Sequence, residues 1–79
     1  MRLDKFLKVS RLIKRRTVAN EACDAGRVTV NGKTAKASTE VKQGDILEIS
    51  LGTRTVKAEI LDIQDTTKKE DAKDLIRYL

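Results

Sequence analysis

Residues 28–35, VTVNGKTA, predict a β-hairpin, and this segment decides how the rest of the chain can be arranged. Residues 28–30 alternate between apolar and polar side chains as a half-buried strand does, and residues 33–35 supply a returning strand. Asn31 and Gly32 are the preferred pair for a two-residue type I′ turn, because both central positions of that turn need positive φ. The hairpin therefore places a pair of antiparallel strands near the middle of the chain.

The sequence before the hairpin begins with a short helix. Leu3, Phe6 and Leu7 recur at the i, i+3, i+4 spacing of one helical stripe, and Asp4 in the first turn suits the positive end of the helix dipole. Residues 10–16 are polar and basic with few apolar anchors, and this composition favours a bend before the next element.

A second helix is predicted over residues 18–25. Thr17 is a suitable N-cap for it, and Gly26 is a suitable residue to end it. Cys23 lies near the edge of the apolar face, and we interpret it as a small core or boundary residue rather than a nucleophile. We expect the buried face itself to consist of Val18, Ala22 and Ala25.

Two further strands are expected after the hairpin. Gly44 and Asp45 form a turn, and residues 46–51 carry the apolar side chains of a strand that ends at Gly52. Residues 55–63 alternate again, with a change of register near residue 61 that is typical of a bulge.

The last element is predicted to be a helix. Residues 67–70, TKKE, fit a capping box, and four apolar residues follow at the i, i+3, i+4, i+7 spacing of a helical stripe: Ala72, Leu75, Ile76 and Leu79. This stripe can belong to the core or to an interface, and we favour the core because so short a chain needs the burial. The order of elements predicts one α+β domain over residues 1–79, with two N-terminal helices, a β-hairpin, further strands and a short C-terminal helix.

The composition argues against several classes of function. The 79 residues suffice for one small domain, and no apolar run approaches the roughly 20 residues of a membrane helix. A single cysteine cannot form an internal disulfide or a multi-cysteine metal site, and the absence of histidine removes the commonest general base. We therefore expect no enzymatic activity, no metal and no cofactor. The charged N-terminus lacks the apolar stretch of a signal peptide, which favours a cytoplasmic protein without membrane contact.

Positive charge is concentrated at the start of the chain. Residues 1–16, the basic segment, carry seven basic side chains against Asp4 alone, whereas the whole chain has a net charge of +5. Acidic partners within helical reach are few, so pairing inside the helices does not explain the run. A solvated helix face and an anionic membrane surface are alternatives, and the second has only a short apolar stripe to support it. We favour a nucleic acid as the partner.

The scarcity of aromatic residues indicates how RNA would be bound. The chain has one Phe, one Tyr and no Trp, so an aromatic platform for base stacking is not expected. Basic side chains would instead recognise the phosphates and the shape of a structured RNA, with an affinity that falls steeply as salt rises.

A set of short strings within residues 1 to about 50 resembles the RNA-binding domain first described in ribosomal protein S-four. These strings are RLDKFL (2–7), RL (11–12), KRRT (14–17), GRV (26–28), VNG (30–32) and GD (44–45). Residues 1–17, together with DTTKKE at 65–70, are also similar to the RqcP family. These are stand-alone bacterial members of the S-four type, related to the fifteen-kilodalton heat-shock protein.

The resemblance implies a role in ribosome-associated quality control. Proteins of the RqcP family bind the large ribosomal subunit obstructed by peptidyl-tRNA, close to large-subunit rRNA. There they assist an RqcH-type tailing factor, which adds alanines to the stalled nascent chain. The resemblance thus implies three partners for this chain, namely large-subunit rRNA, peptidyl-tRNA and an RqcH-type factor, and we expect the chain itself to be a monomer.

The resemblance also implies which residues meet RNA. Arg2 and Arg16 match the family's principal RNA-contacting positions, and Arg27 is a further candidate outside the basic segment. Asp4 is expected to orient a basic neighbour or to serve the helix, because RNA would repel its carboxylate. The remaining candidates share the motif and are expected on the same surface: Lys5, Lys8, Arg11, Lys14 and Arg15.

Two other functions stay open on the residues alone. A ribosome-assembly factor that binds rRNA would share all of these features except the similarity of the two longer strings to the RqcP family. A detached accessory domain of an RNA-modifying enzyme is less favoured, because the chain offers no catalytic acid in a plausible pocket.

Overall fold

Two helices and one antiparallel sheet form the fold of the computed structural model, which describes residues 1–64, 72 and 74–79. The helices precede all the strands in the chain, and the order of strands in the sheet is β2-β1-β3-β4-β5. The elements are α1 (Leu3–Val9), α2 (Arg16–Asp24), β1 (Val28–Val30), β2 (Lys33–Thr34), β3 (Ile46–Leu51), β4 (Arg54–Ile60) and β5 (Ile76–Tyr78).

The predicted hairpin is confirmed. Val30 of β1 pairs with Lys33 of β2, and Asn31 and Gly32 between them have φ values of 53° and 83°, as a type I′ turn requires. The Asn31 side chain also fixes the start of β3: its Oδ1 accepts from the Ile46 backbone N–H (2.9 Å), and its Nδ2 donates to Oδ1 of buried Asp45 (3.1 Å). The hairpin turn and the turn before β3 are therefore held together.

The helices supply one side of the core. Leu3, Phe6 and Leu7 of α1 are fully buried, as their spacing predicts, and they belong to the same cluster as Leu47 and Ile49 of β3. Burying each of these large side chains contributes roughly 1.5–3 kcal/mol relative to leaving it exposed. Because these three residues are consecutive on one stripe of α1, the opposite side of that helix is left for polar residues.

The second helix is present but rotated from its predicted orientation. It begins at Arg16, with Arg15 rather than Thr17 as its N-cap residue. Val18 is 46% exposed and Ala25 is also exposed, so their predicted burial is wrong. The buried stripe is instead Ala19, Ala22 and Cys23, an i, i+3, i+4 set that begins one residue later.

Cys23 is a core residue, as predicted. Its thiol is buried, and burial raises its pKa to about 11, with the Asp4 and Asp24 carboxylates adding to the rise. A thiol with a pKa this high stays protonated at neutral pH and is therefore a poor nucleophile.

The predicted C-terminal helix is wrong, because residues 76–78 form β5. Ile76 lies opposite Ile60 of β4, and Arg77 forms an ion pair with Glu59 (2.6 Å between Nη2 and Oε1). Leu75 and Ile76 are buried, but Leu79 is 58% exposed. The spacing of these apolar residues suits a helix, yet the free edge of β4 offers backbone hydrogen bonds that a helix could not satisfy. The predicted capping box at 67–70 lies outside the described residues.

The strands of the second half agree with the prediction except at the end of β4. The predicted strand over 46–51 is confirmed as β3, while β4 covers Arg54–Ile60 and stops short of residue 63. Beyond its last residue the Leu61 N–H donates to the Leu75 carbonyl oxygen (2.8 Å). The apolar residues at 61 and 63 therefore follow the strand rather than continuing it after a bulge.

Arg11 has an unfavourable backbone conformation. It follows the C-cap residue of α1, Ser10, and its φ of 64° lies in the left-handed region, which costs a non-glycine residue roughly 1–2 kcal/mol. This conformation allows the Arg11 N–H to donate to the Lys8 carbonyl oxygen (3.0 Å) and turns the chain toward α2.

We expect Arg11→Gly to stabilise the fold. Glycine adopts positive φ without the steric cost, so the free energy of unfolding should rise by about 0.5–1 kcal/mol and Tm by roughly 2–8 °C. Thermal and urea unfolding of the purified variant measure both. Lys14→Gly is the matched control, since it removes another exposed basic side chain at a position without positive φ and should not stabilise. Equal effects of the two changes would contradict the prediction.

Candidate nucleic-acid interface

A buried carboxylate lies at the centre of the basic segment. Asp4, in the first turn of α1, is only 2% exposed. Its Oδ1 accepts from the backbone N–H of Lys5 (2.8 Å) and from Nε of Arg2 (3.2 Å). Its Oδ2 accepts from Nη2 of Arg2, Nε of Arg16 and Nδ2 of Asn20, each at 3.4 Å. One carboxylate thus joins the residue before α1, α1 itself and α2.

This arrangement brings the two principal candidates together. Arg2 and Arg16 are far apart in sequence, yet both guanidinium groups contact the same carboxylate. Their side chains are 50% and 47% exposed. Arg16 contacts Asp4 through Nε, the inner nitrogen, so its outer nitrogens are available to an anion. Two arginines against one carboxylate leave a net positive charge at the surface. Asp4 orients its basic neighbours, as predicted.

Asn20 is the residue of this cluster that sequence reasoning missed. It is four residues after Arg16 on α2, so the two side chains share one flank of the helix. That flank borders the buried stripe and faces Asp4, which accepts a hydrogen bond from each side chain. A polar residue at i+4 from a candidate RNA-binding arginine is the only signal in the sequence that could have indicated it.

The cluster lowers the pKa of Asp4. Burial alone would raise this pKa, but hydrogen bonds from Asn20 and Arg16, the positive charge of Arg16 and the Lys5 N–H together outweigh the effect of burial. The net pKa lies below the ordinary value of 3.8. Asp4 is therefore ionised at neutral pH despite its burial, and the ion pairs with the two arginines are present.

The other basic residues flank the arginine pair. Lys5 is half-buried on α1, and the exposed members lie on α1, in the bend and at the start of α2: Lys8, Arg11, Lys14 and Arg15. None of these four forms an ion pair within the part of the chain that the structure describes.

The first turn of α2 also carries no acidic residue. Positive charge at the positive end of a helix dipole is unfavourable in the free protein and favours an incoming anion. This end of α2 therefore adds to the attraction of the basic segment for a polyanion.

Arg27 stands apart from this group. It follows the opposite end of α2 from Arg16, and the nine residues of that helix span about 13 Å. Arg27 is exposed and lines a groove with Ile13, Val18 and Leu51, and it does not line the depression beside Arg16. The sequence predicts Arg27 as a separate candidate outside the basic segment, and in the structure it follows the end of α2 opposite to Arg16.

The site has the properties of a binding surface. An open depression of about 350 Å³ lies beside Arg16 and is lined by Asp4, Arg16, Thr17, Asn20 and Glu21. Across the described residues, no group of three or more His, Cys, Asp or Glu side chains is placed to hold a metal ion. None of the helices found there is long and apolar enough to cross a membrane.

Comparison with known proteins agrees with this geometry. Residues 1–47 match the family model of the S4 domain. The chain belongs to the S4 domain family. That match covers α1, α2, the hairpin and the start of β3, which are the elements that build the arginine cluster and support it.

Relatives extend the similarity beyond the S4 domain. The chain is 60% identical over 75 residues to a protein of Halalkalibacterium halodurans named RQC P-site tRNA stabilizing factor, covering 95% of this chain and 85% of that protein. A Bacillus subtilis protein of the same name is 54% identical over 79 residues, covering 100% of this chain and 92% of the relative. None of these names denotes an enzymatic activity.

A solved structure has the same fold. The trimeric structure of Vibrio cholerae heat shock protein 15 superposes with a TM-score of 0.92 at 31% sequence identity, covering 100% of this chain and 81% of that one. The α+β S4 fold inferred from the sequence is therefore confirmed.

We expect the stability of this S4 domain to depend on pH through Asp4. Because the folded-state pKa of Asp4 is lowered, its contribution is present at neutral pH and is lost as pH falls through about 4 toward the folded-state pKa. Asp4→Asn should lower the free energy of unfolding at pH 7 by about 1.5–3 kcal/mol. The gap to wild type should narrow as the pH falls below about 4, because the wild-type carboxyl then becomes protonated as well.

Urea unfolding of both proteins at a series of pH values measures this gap. Asp24→Asn, which removes an exposed carboxylate from α2, is the control and should change the free energy little at any pH. A gap for Asp4→Asn that stays constant from pH 7 to pH 2 would show that charge plays no part in its role.

Proposed function

We propose that this protein is an RNA-binding factor of ribosome-associated quality control. It binds the large ribosomal subunit obstructed by peptidyl-tRNA and contacts both rRNA and the tRNA. The observation that carries the proposal is the pair of half-exposed arginines, Arg2 and Arg16, held side by side by buried Asp4. This pair lies on an S4 domain whose relatives are named for stabilising tRNA in the ribosomal P site.

The proposed role requires binding and no chemistry by the protein. A factor that contacts rRNA and peptidyl-tRNA together favours the tRNA position that allows both contacts, because it binds that arrangement more tightly. A tenfold preference for this tRNA position requires the protein to bind it about 1.4 kcal/mol more tightly than the alternative position. A single charge-assisted contact between an arginine and a phosphate is of that size.

The basic residues divide into a centre and a periphery. Arg2 and Arg16 form the centre because their positions are fixed by Asp4, so little side-chain entropy is lost when a phosphate binds. The basic side chains around them, half-buried at Lys5 and exposed at the others, supply attraction that salt screens: Lys5, Lys8, Arg11, Lys14 and Arg15. Arg27 contacts the RNA at the margin of the surface.

The proposed protein partner is an RqcH-type factor. The RqcH-type factor adds alanines while this protein keeps the peptidyl-tRNA in place, and peptide transfer remains the chemistry of the ribosome. We propose a cytoplasmic protein that acts as a monomer, although the Vibrio cholerae relative is described as trimeric. The net charge of +5 is consistent with an RNA partner.

We expect Arg16→Ala and Arg2→Ala to remove the protein from obstructed large subunits. Tagged protein in gently lysed bacteria is sedimented, and the large-subunit fractions are probed for the tag and for peptidyl-tRNA. Wild type should co-migrate with subunits that carry peptidyl-tRNA, and each variant should lose most of this signal and most alanine tailing. Lys57→Ala, on the sheet face opposite the helices, is the control and should behave as wild type.

Two outcomes of this experiment would contradict the proposal. Unchanged sedimentation and tailing in both arginine variants would show that the pair is not the binding site. Migration of the wild type with precursor particles or free rRNA would favour a ribosome-assembly factor instead.

We expect Asp4→Asn to weaken RNA binding although it makes the protein more positive. If Asp4 only added negative charge, its removal would strengthen binding. If it positions Arg2 and Arg16, its removal should raise Kd by about tenfold, equivalent to ~1.4 kcal/mol. Loss of one phosphate contact should also reduce the slope of log K against log salt by about 0.7–0.9.

Fluorescence anisotropy with an rRNA hairpin at several salt concentrations measures both quantities. Asp24→Asn makes the same change of net charge on α2, away from the arginine pair, and should leave the salt slope unchanged. Tighter binding by Asp4→Asn than by wild type would overturn the positioning role.

A further inference from the structure

A second groove lies on the other flank of α2 and is not used by the arginine pair. It has a volume of about 270 Å³ and lies between α2 and the end of β3. Val18 and Leu51 line it, with Ile13 and Ala22 below them and Glu21 and Arg27 beside them. Val18 is 46% exposed, although the apolar residues that follow it in α2, Ala19 and Ala22, are buried.

The second groove continues the proposed RNA surface. Glu21 lines both the second groove and the depression over Arg16, so one carboxylate stands between the two. The other end of the second groove reaches Arg27, the outlying basic candidate. A ligand that lies across α2 from Arg16 to Arg27 must therefore pass Glu21.

Glu21 restricts what that ligand can be. It is exposed and forms no ion pair among the residues with described positions. A phosphate placed beside it would be repelled, so the occupant must present a hydrogen-bond donor there. The same occupant must place apolar surface against Val18 and Leu51 and negative charge near Arg27. A protein helix, about 10 Å across with its side chains, is a poor fit to so small a groove.

We propose that the second groove takes one unpaired nucleobase that carries an exocyclic amino group. The flat base lies against Val18 and Leu51, its amino group donates to the Glu21 carboxylate, and its phosphate contacts Arg27. Proteins recognise RNA sequence mainly by holding unstacked bases in this way, and carboxylates accept from base amino groups. The inference rests on the proposed function and deepens it, since it adds base preference to a surface that otherwise reads phosphates.

Adenine, cytosine and guanine carry such an amino group, and uracil does not. Four hairpin RNAs that differ only in one unpaired loop nucleotide, A, C, G or U, therefore test the inference by anisotropy. Wild type should bind the U hairpin about tenfold more weakly than the best of the other three, which is the size of one hydrogen bond to a charged group.

Glu21→Ala should abolish this preference and leave binding of the U hairpin unchanged or slightly tighter. Asp24→Ala is the matched control, because it removes an exposed carboxylate from the same helix outside the groove and should keep the preference. Both positions are exposed, so neither change should affect folding.

The possible results separate the inference from the proposed function. Equal binding of all four hairpins by wild type, or a preference that survives Glu21→Ala, overturns the base site and leaves the RNA-binding role intact. If Arg16→Ala does not weaken RNA binding, the proposed function is wrong, and the inference is wrong with it. If Glu21→Ala reduces co-migration with large subunits but leaves the preference unchanged, the groove receives a protein and the inference is wrong.

Discussion

The carboxylate of Asp4 is the constraint on which the rest of the structure depends. A buried charge is costly unless it is paired and hydrogen-bonded, and Asp4 has four partners: Arg2, Arg16, Asn20 and the backbone N–H of Lys5. The hydrogen bonds of Asp4 therefore both hold α2 against α1 and fix the position of the arginine pair. Any change that moves α2 also moves Arg16 relative to Arg2 and Asp4.

The basic surface is organised at some expense of stability. Arg15 and Arg16 lie at the positive end of the α2 dipole, and Arg11 has positive φ. Each feature is unfavourable in a chain whose 79 residues can bury only a small core. A bound RNA would relieve the charge repulsion and stabilise the folded state by mass action. The free protein is thus less stable than a chain of its size could be, and a bound RNA would raise its stability.

The sequence predicted the local elements well and the long-range contacts poorly. The Asn31–Gly32 turn and the α1 stripe depend on neighbouring residues, so spacing alone revealed them. Residues 76–78 form a strand because they pair with the edge of β4, and no local sequence pattern could reveal that edge. The rotation of α2 has the same origin, because Asp4 draws Arg16 and Asn20 toward α1 and turns Val18 outward. Asn20 was missed for this reason as well.

The outward position of Val18 connects the two halves of the interface. Turning α2 so that Arg16 reaches Asp4 places Val18, just over half a helical turn from Asn20, beside the end of β3. The same rotation leaves Glu21 between the arginine pair and Arg27. A surface made only of lysine and arginine attracts every phosphate equally. An acidic residue in its middle favours an RNA that presents a base there. In the proposed binding mode, the buried carboxylate of Asp4 fixes where phosphates bind, and the exposed carboxylate of Glu21 restricts which RNA fits.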